Sequence, residues 1–501
     1  MTAPFLAVTF DARAGVPLYR QLYEELRARI LSKQLPAAAR LPSTRDLARE
    51  SGVSRNTVMN AFAQLLAEGY IEGQTGSGTY VSRALPDEML RARAPWLNGD
   101  APRPDASPRN LSQRGEALAR MSVTTVSAGL VRETRPFRPG VPAFDEFPFP
   151  IWSRLLAKHW RRPRRELLTY GDAAGYAPLR EAIANYLRVA RAARCEAAQV
   201  IVTDGMQQAF DLAARVLVDP GDRVWIEDPG YLAARAALAG AGARLVPVRV
   251  DAEGLDVTYG ARHGAGARLV YVTPSHQYPT GVTMTLARRL ALLEWAGRAG
   301  AWILEDDYDG EYRYAGRPLA SLQGLDRAGR VIYLGTFSKV VFPALRLGYM
   351  IVPADLVPSF TNARAVAARF SPTVEQAALA DFIGEGHFTR HLRRMRALYA
   401  ARQETLVAAA RRWLGGLLEI SPDGAGIHLV GWLPEGHDDA AASRAAAARG
   451  IDAQPLSAFT IKSRHSPRGG LVLGYAAYRP RQLREGVRAL AAALQETMSD
   501  E

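Results

Sequence analysis

Apolar positions repeat with two different periods along this chain. Over PLYRQLYEELRARIL (17–31), Leu22, Leu26 and Ile30 recur at helical spacing, with Tyr19 and Tyr23 beside them. Pro17 suits a helix start. The stretch KQLPAAARLP then breaks the period. Ser43 followed by Asp46 is an acidic variant of the capping-box spacing, and it opens a short helix, TRDLARES, that Gly52 ends. Ser54 is a suitable N-cap for a third helix with Val58, Ala61, Phe62, Leu65 and Leu66 on its apolar face, closed by Gly69. Two short strands, YIEG and GTYVSR, follow around Gln74–Ser77. Helix, helix, turn, helix, hairpin is a winged helix-turn-helix layout, expected over residues 1–83.

Residues 84–134 lose the period and are rich in Pro, Ala, Arg and Asp, which predicts a linker. Its arginines (Arg91, Arg93, Arg103, Arg109) are candidates for DNA contact, although a solvated tether is the simpler explanation. From 135 onward, helical stretches such as APLREAIANYLRVA alternate with apolar runs: QVIVT, RVWIED, RLVYVT, AWILED, RVIYLG and LGYMIV. This alternation predicts a mostly parallel sheet with helices on both faces. From about 370 a long helix and mixed strands predict a smaller α+β subdomain. The fold class is therefore multidomain, a winged helix-turn-helix (α+β) before a large α/β domain.

Composition adds limits. The 501 residues are 48% hydrophobic and 23% charged, ordinary for a globular protein with a large core. A net charge of +13 favours polyanionic partners, though weakly by itself. The only cysteine, Cys195, excludes a disulfide within the chain. No apolar run approaches the ~20 residues that span a bilayer, and the N-terminus lacks a signal-peptide pattern. A cytoplasmic protein is expected.

Two sets of residues carry candidate chemistry. At the start of the third helix, Ser54, Arg55, Asn56 and Thr57 would meet base edges and phosphates in a major groove. Arg45 would anchor the backbone, and the wing tip Thr75-Gly76 would approach it closely. In the large domain, Lys339 follows small hydroxyl residues in GTFSKVVFPALRLGY, with Arg346 seven positions on. The acids of AWILEDDY end a strand, where a carboxylate can hold a protonated ring nitrogen. VTDGMQQAF runs from strand through Gly205 into a helix, so the backbone N–H groups of Met206 and Gln207 form a phosphate cradle that Arg346 could complete. Tyr231 in EDPGY could stack on a ring. Lysine, carboxylate, aromatic and phosphate cradle together suit pyridoxal 5'-phosphate (PLP).

The words LPSTRDLA, GVSRNTV and GYIEGQTGSGTYV resemble the GntR family of bacterial regulators. YGDAAGYAPLREAI, VTDGMQQAF, EDPGY, TPSHQYPTG, ILEDDYDGEYRY and GTFSKVVFPALRLGY resemble fold-type I aminotransferases, and the whole chain resembles MocR-type regulators. The resemblance implies DNA contact at Arg45, Ser54, Arg55, Thr57 and Gly76. It implies that Lys339 forms the internal aldimine, that Asp306 pairs with the pyridine nitrogen and that Tyr308 meets the ring hydroxyl. Thr336, Ser338 and Arg346 would hold phosphate with the Met206 and Gln207 backbone. Tyr170 would reach a partner subunit's phosphate, which implies a homodimer, with arms expected to swap between subunits.

Two departures matter. Tyr278 stands where aminotransferases carry an asparagine that bonds the ring hydroxyl, leaving His276 or Gln277 as substitutes; this change is usual in MocR-type proteins. Val472, in LVLGYA, stands where aminotransferases carry the arginine that reads the substrate carboxylate, and neither Arg479 nor Ala458 supplies a replacement by spacing. His387 and His391 sit at helical spacing, but without a third ligand they read as an amphipathic face, so no metal is expected. Cys195 reads as an ordinary thiol. The resulting expectation is a PLP-dependent regulator of operator DNA that senses PLP or an amine effector at Lys339, without physiological turnover. The rivals are an active aminotransferase with an autoregulatory DNA-binding domain, and a DNA-binding protein with an inert dimerisation scaffold.

Overall fold

The computed structural model describes residues 10–11, 15–74, 78–86, 110–119, 135–315, 319–462, 465 and 468–499. The wing-tip residues Thr75 and Gly76 and the arginines 91, 93, 103 and 109 lie outside them. The chain divides into two compact units, Met1–Asn110 and Leu111–Glu501.

The first unit has three helices, α1 (Leu18–Leu31), α2 (Thr44–Ser51) and α3 (Arg55–Ala67). An antiparallel hairpin of β1 (Ile71–Gln74) and β2 (Gly78–Val81) follows, with Ile71 opposite Val81. Ser43 Oγ accepts from Asp46 N and Ser54 Oγ from Thr57 N, both at 3.1 Å, so both expected caps form. Gly52 ends α2 at φ +64°, a conformation a side chain would strain. Leu22, Leu26, Ile30, Leu47, Val58, Ala61, Phe62 and Leu65 form the core. Leu66, expected on the apolar face, is instead 52% exposed. At 100° per residue it falls to the rim of a stripe that Leu65 already fills.

The second unit is built on an eight-stranded sheet: β3 (Val200–Thr203), β4 (Arg223–Asp228), β5 (Arg244–Asp251), β6 (Gly254–Leu255), β7 (Ala267–Val272), β8 (Trp302–Asp306), β9 (Val331–Thr336) and β10 (Gly348–Ile351). Their order across the sheet is β3-β10-β9-β8-β7-β4-β5-β6. β4, β5, β7, β8 and β9 run parallel, whereas β10 is antiparallel to both neighbours. All six strands expected from apolar runs are present. β5 was not among them, because RLVPVRVD mixes charge and proline into the run. Pro247 is tolerated there because β6 pairs only with Val250 and Asp251, leaving the flank beside Pro247 without a ladder partner.

The smaller α+β part has a four-stranded antiparallel sheet, β11 (Glu419–Ile420), β12 (His428–Trp432), β13 (Gln454–Pro455) and β14 (Gly470–Gly474), in the order β11-β12-β14-β13. The helices His387–Trp413 and Pro480–Ser499 accompany it. One apolar core joins this part to the β3/β10 side of the large sheet. Within the stretch expected to be a tether, Gln113–Ala119 is helical and Arg114 Nε donates to Gly240 O at 3.1 Å.

Candidate ligand cavity and nucleic-acid interface

The C-terminal ends of the parallel strands surround a cavity of about 900 Å³. Met206, Gln207, Tyr231, Asp306, Tyr308, Thr336, Ser338, Lys339 and Arg346, all expected from sequence, line it together. β8 ends at Asp306 and β9 at Thr336, so adjacent parallel strands deliver the carboxylate and the hydroxyl side by side. The loop after β9 then carries Ser338 and Lys339.

Lys339 Nζ donates to Gly140 O at 2.8 Å. A Cβ on Gly140 would sit 2.9 Å from that nitrogen, so only glycine lets the backbone come this close. Desolvation lowers the Lys339 pKa, against the pull of Asp309 and Asp306, and so favours a nucleophilic free amine. Gly140 belongs to a segment, Arg138–Val141, that lines the cavity and that sequence reasoning missed. The Pro-Gly pair at 139–140 was the available signal, and it reads only as a turn until Lys339 is seen against it.

Asp306 is buried, and its Oδ2 accepts from the Tyr271 hydroxyl at 2.8 Å. Its Oδ1 has no hydrogen-bond partner among the described residues. Burial raises this carboxyl to about 8, with the Tyr271 bond opposing the shift. An orphaned acceptor at a cavity wall is the place a protonated ring nitrogen would fill. Across the cavity, the helix Met206–Leu217 starts at Gly205, whose φ is +83°. Arg346 lies against that start: its Nη2 donates to Asp204 O at 2.9 Å, and a Cβ on Gly205 would be 3.1 Å from its guanidinium carbon. Unpaired helix N–H groups with an arginine beside them form an anion cradle. These residues fit PLP.

The surroundings of Tyr308 are also distinct. Tyr278 lines the cavity, packed edge-on against Tyr231 at 5.4 Å and Tyr308 at 5.8 Å. Of the two substitutes for the missing asparagine, Gln277 is committed elsewhere. Its Nε2 donates to Pro229 O at 2.9 Å, and its Oε1 accepts from Thr280 at 2.6 Å. His276 Nδ1 lies 2.9 Å from the Tyr308 hydroxyl and 3.0 Å from Asp309 Oδ2.

Some expected residues lie apart. Tyr170 is 81% exposed and does not line the cavity of its own chain. Val472 is buried against Leu456 and Phe459 and does not line the cavity. Arg479 is instead paired with Asp145 at 3.0 Å. Arg138, whose side chain pairs with Asp452 at 3.5 Å, lines the cavity and is a cation that the sequence did not suggest. His387 binds Glu385 and Arg390, while the His391 ring packs edge-on against Phe147, so this pair faces different partners. Cys195 is buried, which raises its pKa.

In the first unit, Arg45, Ser54, Arg55 and Asn56 are exposed and Thr57 is half-buried. Ser54 Oγ is 2.9 Å from Thr57 Oγ1, besides accepting from Thr57 N, so both hydroxyls serve the cap. Arg55 Nε reaches Thr44 Oγ1 at 3.4 Å, which ties it to the start of α2. Met59 and Asn60 extend the exposed face by a turn, a continuation that the focus on the helix start overlooked.

Comparison with known proteins agrees with both halves. The family described as "Aminotransferase class I and II" matches residues 143–490, and "Bacterial regulatory proteins, gntR family" matches 18–81. The chain is 44% identical over 486 residues to a "Probable rhizopine catabolism regulatory protein MocR" of Rhizobium meliloti, covering 97% of this chain and 95% of that one. It is 34% identical to the "HTH-type transcriptional regulator TauR" of Rhodobacter capsulatus, over 95% of this chain and 96% of that one. Among solved structures it is similar to the α-aminoadipate aminotransferase LysN of Thermus thermophilus, with a TM-score of 0.71 and 28% identity, over 77% of this chain and 98% of that one.

Proposed function

We propose, since this chain belongs to the MocR-type family of GntR regulators fused to a fold-type I aminotransferase-like domain, that it binds operator DNA through its winged unit and PLP through Lys339, and that the occupant of the cavity tunes operator binding. The observation that carries this reading is the convergence of Lys339, the orphaned Asp306 Oδ1 and the Arg346–Gly205 cradle on one cavity. When bound, PLP supplies an aldehyde that combines reversibly with primary amines. Lys339, its pKa lowered by burial, provides the resident amine, and Gly140 O holds it in place. Asp306 would hold the ring nitrogen, Tyr231 would pack on the ring and Tyr308 would meet its hydroxyl. Thr336, Ser338, Arg346 and the amides of Met206 and Gln207 would hold the phosphate. Arg45, Ser54, Arg55, Asn56 and Thr57 would contact DNA, with Thr75 and Gly76 at the wing tip. The active form is a homodimer in this reading, with Tyr170 completing a partner's site.

Val472, buried against Leu456 and Phe459, replaces the arginine that would hold a substrate carboxylate, which argues against efficient transamination of ordinary amino acids, and leaves Arg138 as the cavity cation the sequence did not suggest. A sensor needs amine exchange but no release of product. The test is operator footprinting with the full chain, with and without PLP and across a panel of amines, beside a visible absorption spectrum. A band that disappears in Lys339→Ala, together with a footprint that responds to PLP or an amine, is the expected result. Operator binding indifferent to every ligand defeats the sensor reading, and steady keto-acid formation favours the enzyme.

A further inference from the structure

His276 is nearly fully buried in the large-domain loop after β7. Its surroundings are shaped to hold it. A Cβ on Gly426 would lie 2.1 Å from its Cε1, and one on Gly281 would lie 3.3 Å from its Nε2. Both glycines have φ above +80°. One edge of the ring faces the ligand cavity: Nδ1 is 2.9 Å from the hydroxyl of Tyr308, which lines the cavity, and 3.0 Å from Asp309 Oδ2. The other edge faces the smaller subdomain: Nε2 is 3.4 Å from Oδ2 of Asp423, in the loop between β11 and β12. That separation is an ion pair slightly too long for a hydrogen bond, and Nε2 has no other partner among the described residues. Asp423 is tied to the subdomain by its backbone N, which donates to Gln403 Oε1 at 3.1 Å, and its loop is tied to the large domain as well, Gly424 O accepting from Tyr314 N at 2.7 Å and Gly426 N donating to Tyr312 O at 2.9 Å.

We propose that His276 is a positioning residue that transmits the placement of the smaller subdomain, sensed through Asp423, to Tyr308 in the ligand cavity. With Nε2–H directed at Asp423, the imidazole stays protonated and Nδ1–H donates toward Tyr308 and Asp309. With Asp309, the competing acceptor of the Tyr308 hydroxyl, engaged by Nδ1–H, Tyr308 can turn its own proton into the cavity. Because this loop joins both parts, a small shift of the subdomain that it passes to Asp423 shortens the Nε2–Asp423 contact to a hydrogen bond and strengthens the line, or lengthens the contact and weakens it. Burial alone would lower the His276 pKa, but Asp309 and Asp423 outweigh burial and hold it up to about 10. The other charged or titratable groups around the line are His428 on β12, Arg313 in the loop after β8, and Lys339 and Asp306 across the cavity. His428 is held near 3 by burial and by the His276 charge, so it stays neutral, with Nε2 3.0 Å from Pro279 O.

This inference rests on the proposed function, since Tyr308 matters only if PLP occupies the cavity. The experiment uses the full chain loaded with PLP and follows its visible absorption band against pH. His276→Gln should move the band's midpoint upward by about one pH unit, the size of one charge-assisted contact. Asp423→Asn should move it the same way by less, and Asp423→Glu should restore it. In a Tyr308→Phe background, His276→Gln should no longer move the midpoint, because its route to the cavity has been cut. An equal shift in that background overturns the inference, as does an unmoved midpoint in Asp423→Asn, which decides the matter even if His276→Gln fails to fold. Ligand atoms of His276, Asp309 and His428 lie within 4.8 Å of one another. Stoichiometric metal in the purified protein, lost in His428→Ala, would therefore also overturn it. A band that is absent, or that survives Lys339→Ala, removes both this inference and the proposed function, whereas an intact band with unmoved midpoints removes this inference alone.

Discussion

Single residues set the chemistry of the cavity through burial. Asp306 is held at about 8 because its charge has one partner, Tyr271, and little water. A cationic ring nitrogen would return the carboxylate to its charged form and pair its second oxygen. Asp306→Ala should therefore weaken PLP retention by about 10- to 100-fold, the loss of a buried charged hydrogen bond, as measured by equilibrium dialysis. His276 gives a pH signature of stability. Its folded pKa of about 10 lies above the ordinary 6.5. Its stabilising contribution is therefore complete below pH 6.5 and declines as pH rises through 10. The Tm gap between the native chain and His276→Gln should be widest near pH 6 and close toward pH 10, and a gap that widens instead would assign the wrong charge state. Lys339, Asp306 and Arg346 were all legible in sequence because each sits in a local word with strong directional constraints. The His276–Asp423 contact was not, since 147 residues and a subdomain change separate its ends.

At the scale of elements, helix ends do most of the functional positioning. The helix Met206–Leu217 offers its amides because Gly205 takes φ +83° and leaves room for Arg346. Gly205→Ala should strain that turn and push the guanidinium away, lowering PLP affinity about tenfold while the fold survives, as a fluorescence titration and circular dichroism would establish. In the winged unit, Ser54 caps α3 at the end proposed to face DNA. Ser54→Ala should destabilise that helix start by about 1 kcal/mol, seen as faster amide exchange at Thr57 and weaker operator binding. Periodicity found α1, α2 and α3 because their apolar faces are one-sided. It missed β5, where charge and Pro247 hide the strand, and it missed the helix Gln113–Ala119, which has no buried face of its own to mark it.

For the whole molecule the central quantity is the coupling between cavity and operator. If PLP or an amine changes operator affinity, linkage requires operator DNA to change affinity for that ligand by the same factor, about 5- to 150-fold for ordinary allosteric proteins. Ligand titrations with and without operator DNA should return matching factors; unequal factors would indicate that turnover, and not equilibrium binding, drives the response. Operator binding should weaken steeply with salt, as expected where arginines neutralise phosphates on a chain of net charge +13.

The sequence by itself determined the two folds, their order and the chemistry-bearing part of the cavity wall. These are local properties: periodic apolar faces, caps, and short words in which strand, glycine and helix start are fixed together. Tertiary structure decided what the words could not. It brought the Arg138–Val141 segment against Lys339, committed Gln277 to Glu227 and Pro229, and turned His276 toward both Tyr308 and Asp423. Each of these joins residues far apart in the chain, and the energy that selects them comes from desolvation, which exists only once the surrounding core has closed.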